Sequence, residues 1–173
     1  SVLWQGVPVP PLPVSHRERN PGRLRIGRIC TPSSRKWPES LPGFYSGLAT
    51  EHPQVDWEFV GCPAAMQPLL NSACRGQARF FSAGWQARSH LWEWDALLYH
   101  HPSLTESFGR TLAEAARAGC IPILDRRGGF IEQLDVIPGI GCRDIREFSQ
   151  AISQVSEPST REELSRNVQT QSN

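Results

Sequence analysis

Glu106 and Glu114 bracket a glycine in HPSLTESFGRTLAEAARAGCIPILDRRGG, residues 101 to 129, between two apolar runs. The run LLYHHP ends at Pro102 and the loop SLTESFG follows; a helix is expected over 110–118, before Gly119 and the β-branched run IPIL. A strand, a turn carrying glycine and then a helix make an anion site, because the first N–H groups of a helix lack partners and its dipole favours negative charge there. Phosphate suits such a site. Carboxylates do not bind phosphate, but they accept hydrogen bonds from paired hydroxyls, as the acidic residue of a dinucleotide fold does with ribose. Glu106 precedes the helix and Glu114 lies about one turn inside it, so the two can reach opposite sides of an anion held at the helix end. The pattern implies a ligand with hydroxyls on both sides of a phosphate group, as in a nucleotide sugar. The plain alternative is an amphipathic helix with Glu114 on its solvated face and Glu106 in an idle loop.

The elements that position these residues alternate in type. Apolar runs near 24–30, 57–61, 78–82, 96–100, 121–124 and 139–142 interleave with helical stretches near 39–50, 64–73, 87–93, 110–118, 129–134 and 144–155. Such alternation predicts a doubly wound α/β fold with a parallel sheet. The run ALLYH is apolar nearly throughout, as a central strand covered on both faces must be. Ligands in these sheets bind beyond the carboxyl ends of the strands. The loops after the first, fourth and fifth strands, carrying Arg28, Lys36, Glu106 and Gly128-Gly129, all fall at that end.

In their order, four of these segments resemble the donor-binding half of the retaining GT-B glycosyltransferases of family 4, the group 1 type. ESFGRTLAEAARAGCIPI at 106–123 is similar to that family's Glu-x7-Glu motif, and RLRIGRICTPSSRKWPE at 23–39 to its first strand ending Gly-Arg and the basic loop that follows. WEFVGC matches a middle strand ending in glycine, and RRGGFIEQL the Gly-Gly loop with a glutamate after the fifth strand. Together they cover roughly residues 24 to 155. Many relatives have Lys-Gly where Lys36 here is followed by Trp37 and Pro38; Lys36 is the only lysine beside 17 arginines.

The resemblance implies the C-terminal, Rossmann-like half of a GT-B architecture. Residues 1–22 would be an interdomain crossing with Gly6-Val7 at its start, 23–158 the nucleotide-sugar-binding domain, and 159–173 a polar tail or last helix. It implies transfer of a sugar from a nucleotide diphosphate sugar to an acceptor hydroxyl with retention. Arg28 and Lys36 would stabilise the departing diphosphate, assisted by amides near Phe108, Gly109 and Arg110. Glu106 would hold the donor sugar and Glu114 the ribose; Gly27 belongs to the same donor cradle, and Phe80, Phe81 and the residues up to Gly84 would face the base. The partner implied is an acceptor-binding half preceding Ser1, without which the chain is expected to be inactive. No Asp-x-Asp occurs, so no metal and no cofactor are expected. A nucleotide-sugar epimerase or phosphorylase of the same architecture, or a non-catalytic nucleotide-sugar-binding module, remains open as an alternative.

Composition bounds the rest. At 173 residues, 39% hydrophobic and 20% charged, the chain fits one domain. A formal net charge of +1 with interspersed signs leaves no footprint for nucleic acid. No apolar run has the length of a transmembrane helix. The cysteines, Cys30, Cys62, Cys74, Cys120 and Cys142, are odd in number and form no Cys-x2-Cys pair, which argues against zinc and disulfides and for a reducing, cytoplasmic setting. His100 and His101 are adjacent on an expected strand and point to opposite faces, so they cannot share one ion.

Overall fold

The runs LRIGRI, VDWEFV, ALLY and IPILD bury nearly every residue, which requires cover on both faces of a sheet. The structure, a computed structural model, describes residues 11–13, 22–106 and 109–171. Six parallel strands, β1 (Leu24–Ile29), β2 (Val55–Val60), β3 (Ala78–Phe81), β4 (Ala96–Tyr99), β5 (Ile121–Asp125) and β6 (Ile140–Cys142), lie in the order β3-β2-β1-β4-β5-β6. Between and after them come α1 (Leu41–Glu51), α2 (Gln67–Ala73), a 3₁₀ helix (Gln86–Trp92), α3 (Arg110–Arg117), α4 (Gly129–Leu134), α5 (Ile145–Ser156) and α6 (Pro158–Gln171). This is a Rossmann-like, doubly wound α/β fold.

Each face of the sheet has its own core. On one, Leu41, Tyr45, Phe148 and Ile152 from α1 and α5 cover Ile26, Phe59, Leu98 and Ile123. On the other, Leu91, Leu112 and Phe130 from the 3₁₀ helix, α3 and α4 cover Val60, Leu97, Tyr99 and Leu124. The strand order reverses between β1 and β4, which pair Ile26 with Ala96 and Gly27 with Leu97. A crevice must open there, because the connections leave the two strand ends in opposite directions.

The expected elements appear, with local differences. The stretch at 87–93 is a 3₁₀ helix rather than an α-helix, and β1 and β4 stop at Ile29 and Tyr99, each one residue short of the apolar run. The polar tail is helix α6, docked through buried Val168 and through Ser165, whose hydroxyl donates to the Gly119 carbonyl at 2.6 Å. Within the segment expected as a crossing, Leu12 is buried and the Pro13 carbonyl accepts from the Trp92 indole at 3.0 Å; Gly6-Val7 lie outside the described residues.

Candidate functional site

Beyond the carboxyl ends of β1 and β4 lies a cavity of about 440 Å³. Ile29, Val60, Leu97 and Leu124 give it an apolar floor, and Lys36, Glu106, Arg110 and Arg88 give it charge. Helix α3 begins on its wall, with Gly109 to Leu112 lining it. Gly109 has φ of +61°, and a Cβ there would stand 2.3 Å from Phe130 Cε1, so the turn into α3 needs glycine on both counts. Its N-cap residue, Gly109, has no side chain to cap it, and among the described residues none caps the first-turn N–H groups, which suit an anion.

Glu106 is held from three sides. Its carboxylate accepts from the Lys36 ammonium and, at 3.0 Å, from the Tyr99 hydroxyl, while its backbone carbonyl accepts from Gly129 N at 2.9 Å. The last contact gives the Gly128-Gly129 turn its purpose: it fixes the loop that carries Glu106. Lys36 is aimed by its neighbour. Trp37 is buried and its indole donates to the Thr31 carbonyl at 3.0 Å, closing the loop on itself where relatives have glycine. Burial, with Arg35 and Arg28 near by, holds the Lys36 ammonium below the ordinary lysine range, so an arriving anion meets a poorly solvated cation.

Glu114 is 1% exposed, which removes the solvated-face alternative. One carboxylate oxygen accepts from Arg88, on the 3₁₀ helix; the other, Oε1, is buried with no hydrogen-bond partner among the described residues. Burial pushes its carboxyl up, and Arg88, Arg110 and Arg117 oppose that shift. Each glutamate thus pairs with a cation of the cavity wall: Glu106, itself on the wall, with Lys36, and Glu114, buried and absent from the wall, with Arg88.

Other expected residues stand elsewhere. Arg28 is 1% exposed and absent from the cavity wall; its guanidinium donates to the His100 and Lys36 carbonyls, both at 2.8 Å, between the rings of Trp37 and Tyr99. It lies inside β1, paired with Phe59, so the chain has not yet left the sheet. Gly27 is likewise internal to β1; a Cβ there would fall 2.1 Å from the Trp94 ring, so its smallness serves packing. Phe80 stacks on Phe59 and Phe81 packs on His90, both within β3. The wall in this region comes instead from Ala83, Gly84 and Trp85, just past the strand. Phe108 lies outside the described residues.

Two further residues shape the site, Arg88 and His101, neither of which the sequence marks as part of it. Arg88 carried no signal, since its partner Glu114 is distant in sequence. His101 is buried and joins two loops: its Nε2–H donates to the Arg35 carbonyl at 2.9 Å, and Nδ1 accepts from Ser103 N at 3.1 Å and Leu104 N at 2.7 Å. Its neighbour His100 turns to Asp125, 2.7 Å away, so the two histidines have separate partners. Away from the cavity, Glu58, His90 and Glu93 bring ligand atoms within 4.8 Å of one another. Arg25 Nε at 3.4 Å and the Trp94 indole at 2.8 Å already address Glu58, so the group carries internal compensation.

No protein-family model matches the chain, and no curated protein matches it. Solved structures do. Anabaena HepE in complex with UDP and glucose superposes with a TM-score of 0.69, at 18% identity over 87% of this chain and 44% of that one. WaaG, a glycosyltransferase involved in lipopolysaccharide biosynthesis, gives 0.67 at 17% identity over 87% and 43%. TarM gives 0.73 at 11% identity over 96% and 34%. The fold is that of a GT-B glycosyltransferase domain. The chain spans less than half the length of each of these GT-B proteins. Among the described residues no helix is long and apolar enough to cross a membrane.

Proposed function

We propose that the chain is the donor-binding half of a retaining glycosyltransferase, which holds a nucleoside diphosphate sugar for transfer to an acceptor hydroxyl. The observation that carries this reading is the cavity walled by the start of α3, Lys36, Glu106 and Arg88, with Glu106 paired to Lys36 and the buried Glu114 paired to Arg88. The likeness to HepE, solved with UDP and glucose, and to the glycosyltransferase WaaG supports the substrate class. The diphosphate sits at the first turn of α3, where backbone N–H groups and Lys36 neutralise the charge that develops as it leaves. Glu106, released from Lys36, accepts from sugar hydroxyls. Glu114 offers Oε1 to the ribose while Arg88 holds its other oxygen and opposes the upward push of burial. Arg28 acts one layer below, holding the Lys36 carbonyl. Cationic side chains take the place of a divalent ion.

In this reading the acceptor-binding half comes from sequence outside these 173 residues, in keeping with the 44% of HepE that the chain spans. A reducing, cytoplasmic setting accords with five free cysteines, four of them buried. The test is a thermal-shift and calorimetric titration with nucleoside diphosphates and their sugars. Binding to the folded state stabilises by mass action, about 2.7 kcal/mol at a hundred times Kd. At least one diphosphate should bind, EDTA should leave its affinity unchanged, and the chain alone should transfer no sugar. Failure of every nucleoside diphosphate to bind would overturn the proposal.

A further inference from the structure

The base end of the cavity has its own chemistry. Strand β3 lies three places from β4 in the sheet, so the loop after it stands on the order of 14 Å across from the loop that carries Glu106. That loop brings Ala83, Gly84 and Trp85 to the wall, and Arg88 follows on the 3₁₀ helix. The Arg88 guanidinium is fixed from two directions: it donates to Glu114, and it lies over the Trp85 ring, 5.7 Å from its centroid. Its remaining N–H groups have no partner among the described residues. Arginine and the tryptophan indole only donate hydrogen bonds. Ala83 and Gly84 beside them add no acceptor, so the side chains this loop and the start of the 3₁₀ helix bring to the wall are donors.

We infer that Arg88 is the specificity-determining residue for the base and selects a base with a carbonyl at pyrimidine C4 or purine C6, uracil or guanine, over one with an amine at that position, cytosine or adenine. The inference rests on the reading of the cavity as a nucleotide-sugar site. A carbonyl oxygen meets the fixed fork as an acceptor, as guanine O6 and N7 meet arginine in nucleic-acid recognition. An amine at the same ring position turns a donor toward a donor and leaves both unpaired, a mismatch that polar sites reject strongly. The hold on Glu114 limits the freedom of the guanidinium to turn away and accommodate it.

The experiment measures the affinities of UDP, CDP, GDP and ADP for the chain and for Arg88→Met. UDP and CDP differ only at the base edge in question. In the unaltered chain UDP should bind at least tenfold more tightly than CDP, and GDP more tightly than ADP. Arg88→Met should bring the UDP to CDP ratio to within about threefold. A uniform loss across all four nucleotides with the ratio preserved would show that Arg88 merely positions Glu114, and would overturn the inference. So would equal affinities, or a preference for ADP or CDP, in the unaltered chain, a measurement that needs no variant to fold. If none of the four binds, the nucleotide-sugar reading itself fails, a result distinct from binding without discrimination.

Discussion

Arg28 tests whether a cation can serve a site it never touches. Replacing it with Met keeps an unbranched stem in place of the arginine methylenes and removes two hydrogen bonds from a charged donor, to the His100 and Lys36 carbonyls. At about 1.5–3 kcal/mol each these amount to roughly 3–6 kcal/mol. Loss of the contacts over Trp37 and Tyr99 adds up to about 2 kcal/mol each when desolvated. Against this, the variant no longer strips a guanidinium of water, a relief of several kcal/mol. The net expectation is a destabilisation of about 3 kcal/mol, or roughly 6–12 °C in Tm for a domain of this size. Urea denaturation measures it, and calorimetry with a nucleoside diphosphate is run at a temperature where the variant is folded. Diphosphate affinity should fall less than about tenfold, because Lys36 loses only a support. A variant of unchanged stability that binds diphosphate ten- to hundredfold more weakly would refute the reasoning, since that is the signature of direct contact.

Glu114→Gln should weaken a nucleoside diphosphate and its sugar conjugate alike, and Glu106→Gln only the conjugate; equal losses of diphosphate affinity in the two would show the division of roles to be wrong. Gly27→Ala should destabilise by about 3 kcal/mol or more, because Trp94 cannot yield without losing its buried bond to Glu58. Its diphosphate affinity, measured on folded protein, should be unchanged, and the opposite pair of results would return Gly27 to the ligand. Burial and the nearby Arg28 outweigh the bond to Arg35 and hold the His101 imidazole below its ordinary range, so protonation is harder in the folded state. The stability it contributes is therefore complete above about pH 6.5 and is lost as pH falls through the depressed folded value. The stability gap between the native chain and His101→Ala, read from denaturation at pH 7.5 and pH 5, should narrow at the lower pH; a constant gap would sink this.

The sheet was legible because its strands are apolar at consecutive positions and its helices are not, a contrast that survives without knowledge of any contact. Which residues near a strand end reach the cavity was not. Gly-Arg reads as the entry to a phosphate loop, yet Arg28 is paired with Phe59 inside the strand, and the loop begins only after Ile29. Phe80 and Phe81 likewise lie within β3, as the apolar run implies, while Ala83 to Trp85 form the wall. Successive residues of a strand point to opposite faces of the sheet, so the last ones are spent on packing: Gly27 meets Trp94 on one face, and Arg28 meets Trp37 on the other.

The carboxylates were legible where their counter-cation was local in motif and hidden where it was not. Lys36 and Glu106 both belong to segments that resemble a known pattern, and the structure joins them. Arg88 belongs to no such segment. It reaches Glu114 only because the connection from β3 to β4 crosses the same face as α3, bringing the 3₁₀ helix against that helix. A buried carboxylate in α3 must have a cation or stay protonated, since desolvation disfavours its charge. Arg110 and Arg117 of α3 itself add to that compensation, and the crossover connection supplies the direct partner, Arg88, from the 3₁₀ helix at the cavity wall.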